Sequence, residues 1–345
     1  PAPVYQKVLR AQVILDKLGF GPGILDGRGG ESLKNALKGF QESRGLKVTG
    51  VLDAATITAM RPYGGTRPTI EATLDRAAFT GPFVPVIPKD YAEQAKLPAM
   101  AYGRPLEALA ERFHTTPAVL VALNPGVSTI RPGDRITVPN SLPASRAYPA
   151  DATPQWRATL ASLNVDAAVP KAAKIVVDKS DGVLRVLDAQ GKLIGQYTAT
   201  MGSSRDPLPL GNWKVLHVYP NPDWKMNPKI LKTVDDNKEA QIIPPGPNNP
   251  VGVLWCQLNK PGIGIHGTNS PQTGQSGSLR SLSSRKRISS ASYRSSRPMS
   301  GSPRPMMNST ACRTLASSTL RFSRTLAATP SPSRTSPRRR CSVPM

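Results

Sequence analysis

The sequence predicts a multidomain chain: a small α-helical domain, an α+β module, an incomplete all-β domain and a disordered tail. Three observations predict it. Apolar residues recur at helical spacing up to about residue 60 and at a spacing of two from Lys174 onward. Pro-rich stretches at 65–98 and 141–172 read as linkers between these regions. Residues 274–345 hold thirteen Arg, one Lys and no Asp or Glu, with few large apolar side chains and no legible period.

The charge follows the same division. The formal charge is +23, of which the tail supplies +14; the other thirty-one basic and all twenty-two acidic residues leave +9 on residues 1–273. The tail lacks aromatic interleaving, so binding of nucleic acid through it would be incidental and salt-dependent, and no specific nucleic-acid partner is expected. No run of eighteen apolar residues is present, so no membrane span is expected. The opening "PAPVYQ" has neither a basic n-region nor an apolar h-region, and no initiator Met, which fits a chain whose signal peptide has been removed. Cys256, Cys312 and Cys341 form no CxxC pair, and no His/Cys cluster has zinc spacing. Neither a metal nor another cofactor is expected.

Residues 1–64 come first. "VLRAQVILDKLGF" puts Val8, Ala11, Leu15 and Leu18 on one helix face, and "ESLKNALKGFQESRG" does the same with Leu33, Ala36, Leu37 and Phe40 before Gly45. A turn-rich loop lies between them. A short extended piece, a turn at Gly50 and a helix N-capped by Asp53 follow. The order Gly21, Asp26-Gly27, Phe40-Gln41, Gly45-Leu46, Val48-Thr49-Gly50, Leu52-Asp53 and Thr56 resembles the peptidoglycan-binding domain of bacterial wall enzymes.

Residues 99–140 read helix, helix, strand. The second helix opens at Thr115 or Thr116 with Pro117 at its first position, and "IRPGDRITVPN" is a turn and a strand. Asn124-Pro125 and Pro132-Gly133-Asp134 make this region similar to a lysin motif, which implies binding of N-acetylglucosamine polymers; the opening strand is weak. His114 reads as a surface or packing histidine at a helix end. In the 141–172 linker, "PQWRATLASLNV" suggests a short helix.

From residue 173 to 273 the pattern is all-β. Hairpin signals at Ser180-Asp181-Gly182 and Asp188 to Gly191 separate strands, followed by "GNWKVLHVYP", "GVLWCQL" and "GIGIHGT". Pro209 and Gly211 before Trp213, the Gly-Pro-x-Asn-Pro-x-Gly loop from Gly246 to Gly252, and His266-Gly267-Thr268 resemble the catalytic domain of L,D-transpeptidases. That resemblance implies cysteine acyl transfer on peptidoglycan stem peptides, with His266 as a catalytic imidazole and Gly267 and Thr268 on the substrate side. It also implies a nucleophile some sixteen residues later, in a Ser-His-Gly-Cys-x-Arg segment.

That segment is missing. Leu282 and Ser283 stand where the cysteine is due, and the departure begins near Thr273-Gly274. The Ser, Arg, Pro and Ala mixture beyond it is what a GC-rich gene gives in the wrong reading frame. Cys256, in a buried-looking strand, reads as a small core hydrophobe. Cys312 and Cys341 fall in the patternless tail. Ser283 lacks matching flanks, and His217 reads as a core or rim histidine. Two functions stand open: an envelope or periplasmic L,D-transpeptidase family protein, inactive in this chain, or a non-catalytic peptidoglycan-binding protein. Oligomeric state is not legible.

Overall fold

A computed structural model of the chain describes residues 3–199, 210–228, 239–260, 263–267 and the backbone of 319–323. The first domain holds helices α1 (Gln6–Lys17), α2 (Glu31–Ser43) and α3 (Ala54–Met60), with a two-residue strand β1 (Phe20–Gly21) after α1. Its core is the expected pair of apolar faces. Ile14 and Leu15 of α1 meet Leu33, Ala36, Leu37 and Phe40 of α2, and Phe20 packs edge-on against Phe40 at 6.0 Å. Asp53 caps α3, its Oδ1 accepting from the Thr56 N–H at 2.8 Å. Hydrogen bonds from the Thr56 N–H, the Thr56 hydroxyl and the Thr49 hydroxyl hold its carboxyl below the usual carboxylate range.

In the middle unit, β2 (Thr69–Thr73) pairs antiparallel with β3 (Arg135–Pro139), and between them lie α4 (Tyr91–Ala95), α5 (Pro105–Arg112) and α6 (Pro117–Leu123). The Thr116 hydroxyl caps α6. Leu74, Ala78, Leu109, Phe113, Leu120 and Val138 form the core. Here the structure differs from the sequence reading. The opening strand comes from 69–73, inside the stretch read as linker 65–98, and not from the start of 99–140. "TIEAT" offers two apolar residues, Ile70 and Ala72, and finds its partner beyond α4, α5 and α6, so local pattern gives it little signal.

The stretch 141–172 is likewise not a simple linker. Helix α7 (Pro154–Ser162) buries Trp156 and Leu160 in the core of the β region, together with Leu163, Val165 and Ala172. That region adds β4 (Lys174–Asp178), β5 (Val183–Leu187), β6 (Leu193–Thr198), β7 (Gly211–Pro220), β8 (Trp224–Met226), β9 (Gln241–Ile243), β10 (Leu254–Leu258) and β11 (Gly264–His266). One further strand, β12 (Thr319–Ser323), lies within the stretch expected to be disordered. It pairs parallel with β4 and antiparallel with β7, filling the place between them, where both neighbours offer ladder groups to an alternating Thr-Leu-Arg-Phe-Ser segment. The other tail residues, including Leu282, Ser283, Cys312 and Cys341, lie outside the described residues, as do residues 201–209.

The main sheet runs β1-β6-β5-β4-β12-β7-β10-β11. One face packs on α7 through Ile175, Val177, Leu184, Tyr197, Cys256 and Ile265. The other face receives α2. The Gln196 side chain donates to the Asn35 carbonyl at 2.6 Å, and Arg185 pairs with Glu42. Gly39 permits this approach, because a Cβ there would lie 2.9 Å from that of Gln196. Phe20–Gly21 then pairs parallel with Gln196–Tyr197, so the first domain extends the sheet of the third.

His114 is more than a packing residue. It is buried; its Nδ1 lies 2.7 Å from the Asp16 carboxylate of α1 and its Nε2 3.0 Å from the Leu163 carbonyl after α7. Its own carbonyl accepts from the Leu25 N–H. One side chain therefore joins all three units. Among the described residues, no helix is long and apolar enough to cross a membrane.

Candidate active site

The site is built on the strands farthest from the first domain. β10 pairs antiparallel with β7 and with β11, and the register sets Trp255 opposite both Tyr219 and His266, and Gln257 opposite His217 and Gly264. Successive residues of a strand point to opposite faces. Trp255, Gln257, Tyr219, His217 and His266 therefore share the face turned away from α7, the same face that receives α2. A bulge at Leu216 keeps Val215 and Val218 both on the core side while His217 and Tyr219 stay on the site side.

His266 ends β11 and is only 5% exposed. Its ring stacks on that of Trp255, with centroids 5.1 Å apart at 25°. Its Nδ1 lies 2.6 Å from the Gly267 carbonyl. A carbonyl only accepts, so this contact assigns the proton to Nδ1 and leaves Nε2 as the basic nitrogen. Burial pushes the imidazole down to about 4, outweighing the opposing effect of the Gly267 hydrogen bond, so the ring is neutral at pH 7. A neutral imidazole with a fixed tautomer is the form that can accept a proton from a nucleophile. On the same face the Tyr219 hydroxyl donates to the Gln257 side-chain oxygen at 3.1 Å, and partial burial raises its pKa.

The structure places His266 and Gly267 together at the end of β11, where the Gly267 N–H donates to the Leu254 carbonyl at 3.3 Å. Thr268 lies outside the described residues. Cys256 is 1% exposed and pairs with Ile265, on the face opposite Trp255 and His266. It belongs to the core with Val215 and Leu258. His217 is exposed, its ring 6.0 Å from that of Tyr219, a rim position. Trp255, Tyr219 and Gln257 were not singled out from the sequence. The signal that finds them is parity: in "LWCQL" the residues flanking the buried Cys256 must face the other way.

Asn249, in the Gly246 to Gly252 loop, explains that motif's amide. It is fully buried; its Nδ2 donates to the Pro244 carbonyl at 2.8 Å and its Oδ1 accepts from the Val251 N–H at 2.9 Å, closing the loop on itself. No three His, Cys, Asp or Glu side chains converge as metal ligands among the described residues.

Comparison with known proteins bears on this arrangement. Residues 172–290 match the YkuD family, described as "L,D-transpeptidase catalytic domain", and residues 5–60 match a family described as "Putative peptidoglycan binding domain". The "Putative L,D-transpeptidase YkuD" of Bacillus licheniformis is 23% identical over 171 residues, which cover 50% of this chain and 74% of the relative. A solved L,D-transpeptidase mutant of Enterococcus faecium is 14% identical over 45% of this chain, with a TM-score of 0.26, too low to relate the folds strand by strand. The chain spans about half the length of that enzyme, 50%. This chain thus carries an L,D-transpeptidase catalytic domain of the YkuD family behind an N-terminal peptidoglycan-binding domain.

Proposed function

We propose that the chain is a peptidoglycan L,D-transpeptidase family protein of the bacterial envelope that, as encoded, does not turn over. One observation carries this reading: Cys256 is the only cysteine between residues 172 and 290, and it faces away from His266. Acyl transfer by this chemistry needs a thiolate that attacks the stem-peptide carbonyl and expels D-alanine, taking the peptidyl group as a thioester. An amine of a second stem then displaces the thiol. His266, with Nε2 basic and Nδ1–H tied to Gly267, is formed for the proton transfers, and Gly267 and Thr268 border the donor. The thiol, and the N–H groups that would face the oxyanion, belong to the Ser-His-Gly-Cys-x-Arg segment that this chain lacks. A reading-frame slip after codon 273 accounts for the loss, and for the acid-free tail.

The domain reading that goes with this is 1–64 for the wall-binding domain and 69–140 for a glycan-binding, lysin-motif-like unit. The catalytic domain opens at the α7 segment. A non-catalytic wall-binding role is the second reading, and the two N-terminal units favour it as much as the first.

The test uses the full chain with a tetrapeptide-stem fragment. We expect no D-alanine release, and co-sedimentation with purified peptidoglycan at low and moderate salt. Release that is lost in Cys256→Ala would overturn the assignment. Reading the gene in its other two frames after codon 273 should show Ser-His-Gly-Cys-x-Arg.

A further inference from the structure

Residues 84–103 are an excursion between β2 and α5, and the core they help to build is not that of their own unit. Tyr91, Leu97 and Met100 pack on Trp224, Met226 and Ile243 of the β8–β9 hairpin, where Tyr91 meets Trp224 edge-on at 5.4 Å. The main chains interlock as well. The Met100 N–H donates to the Pro245 carbonyl at 2.9 Å, and the Asn248 N–H donates to the Met100 carbonyl at 2.8 Å. Asn248 Nδ2 donates to the Ala101 carbonyl at 2.9 Å and to the Glu107 carboxylate of α5 at 3.1 Å. Gly246 makes room for this contact. Its φ is +148°, and a Cβ there would lie 2.4 Å from the Met100 carbonyl oxygen.

The far end of the same connection reaches the site. The chain leaves the sheet at Pro220, passes through β8, β9 and the Asn249 loop, and returns at Leu254, opposite Pro220. The Leu254 carbonyl accepts from Gly267, the neighbour of His266. Bonds therefore run from α5 through Glu107, Asn248 and the loop to the residue beside the imidazole.

We propose that the 84–103 segment is a strap coupling glycan occupancy of the middle unit to the β7–β10 connection beside His266, which rests on the glycan-binding reading of that unit. Local opening of the 241–249 segment breaks the bonds to Met100, Ala101 and Glu107. A ligand that steadies α5 and the strap therefore raises the cost of opening at the site, and the coupling is reciprocal.

Hydrogen–deuterium exchange on the full chain, with and without an N-acetylglucosamine hexamer, tests this. Binding is followed in parallel by calorimetry. Saturating hexamer should slow exchange within 105–123 and, by about fivefold or more, within 241–249. Asn248→Ala should keep hexamer binding and the slowing at 105–123 but lose the slowing at 241–249. Hexamer that binds and slows 105–123 without affecting 241–249 overturns the coupling and leaves the glycan-binding reading intact. Failure to bind, or slowing confined to residues 5–60, removes both. If Asn248→Ala does not fold, Tyr91→Ala, which trims the contact with Trp224, is held to the same expectation.

Discussion

Gln41 and His266 stand at the centres of the two regions with the densest motifs, and they are built in opposite ways. Gln41 is fully buried. Its Nε2 donates to the Thr49 and Thr56 hydroxyls and to the Val51 carbonyl, and its Oε1 accepts from the N–H groups of Thr49 and Gly50. The motif residues of the first domain thus spend their polar groups on one another and fix the turn that leads into α3. His266 is held by a backbone carbonyl and an indole face, contacts that set its plane and its proton while keeping Nε2 basic. The first motif is a folding device; the second fixes the plane and the tautomer of one neutral imidazole. A recurring residue pattern therefore does not by itself mark a reacting site.

Substitution sharpens the contrast, most strongly at Gln41. Gln41→Ala strands the Thr49 and Gly50 N–H groups and takes a donor from the Val51 carbonyl, while the Thr49 and Thr56 hydroxyls keep only their bonds to Asp53, and it should cost about 4 kcal/mol in urea unfolding. A loss below about 1 kcal/mol would mean that water replaces the amide and that the two centres differ less than their geometry implies.

The next effect is in pH. An unfolded chain takes up the His266 proton near 6.5, whereas the folded imidazole, depressed by burial, resists until about 4. Stability from this group is therefore full above pH 6.5 and is lost as pH falls to about 4, by roughly 3 kcal/mol. His266→Gln should flatten that part of the stability profile, and a profile identical to that of the unaltered chain would show that the ring is hydrated.

The smallest effect is at Cys256. Cys256→Ala leaves a small void against Ile265 and Leu258 and should cost about 1 kcal/mol. Rapid modification of Cys256 itself by a thiol reagent, in the folded chain with Cys312 and Cys341 replaced by Ser, would contradict its place in the core.

Helices α1, α2 and α3, the helix pair of the middle unit and the strands from β4 to β7 and β10 to β11 were legible, because each carries its own periodicity. Their pairings across the chain were not. β2 reads as linker because its partner lies beyond three helices. Residues 84–98 read as linker because the side chains they pack against, such as Trp224 and Ile243, are remote in sequence. His114 looked incidental because its partners, Asp16 and Leu163, belong to other units. At the site, HGT marked His266, and parity would have placed Cys256 on the far face. Trp255 and Tyr219 gain meaning only from register.

The two-residue strand Phe20–Gly21 has a consequence for how this protein can be divided. It pairs with Gln196 and Tyr197 on the outer side of β6, whose Leu-Ile-Gly-Gln-Tyr-Thr sequence is largely buried and carries no charge. A fragment starting after residue 64 would present that strand with unmet N–H and carbonyl groups and no lysine or proline to discourage a neighbour. Such fragments should stick to one another edge to edge. The N-terminal domain is thus also an edge cover for the catalytic-type sheet, and the modules cannot be shuffled as independent beads.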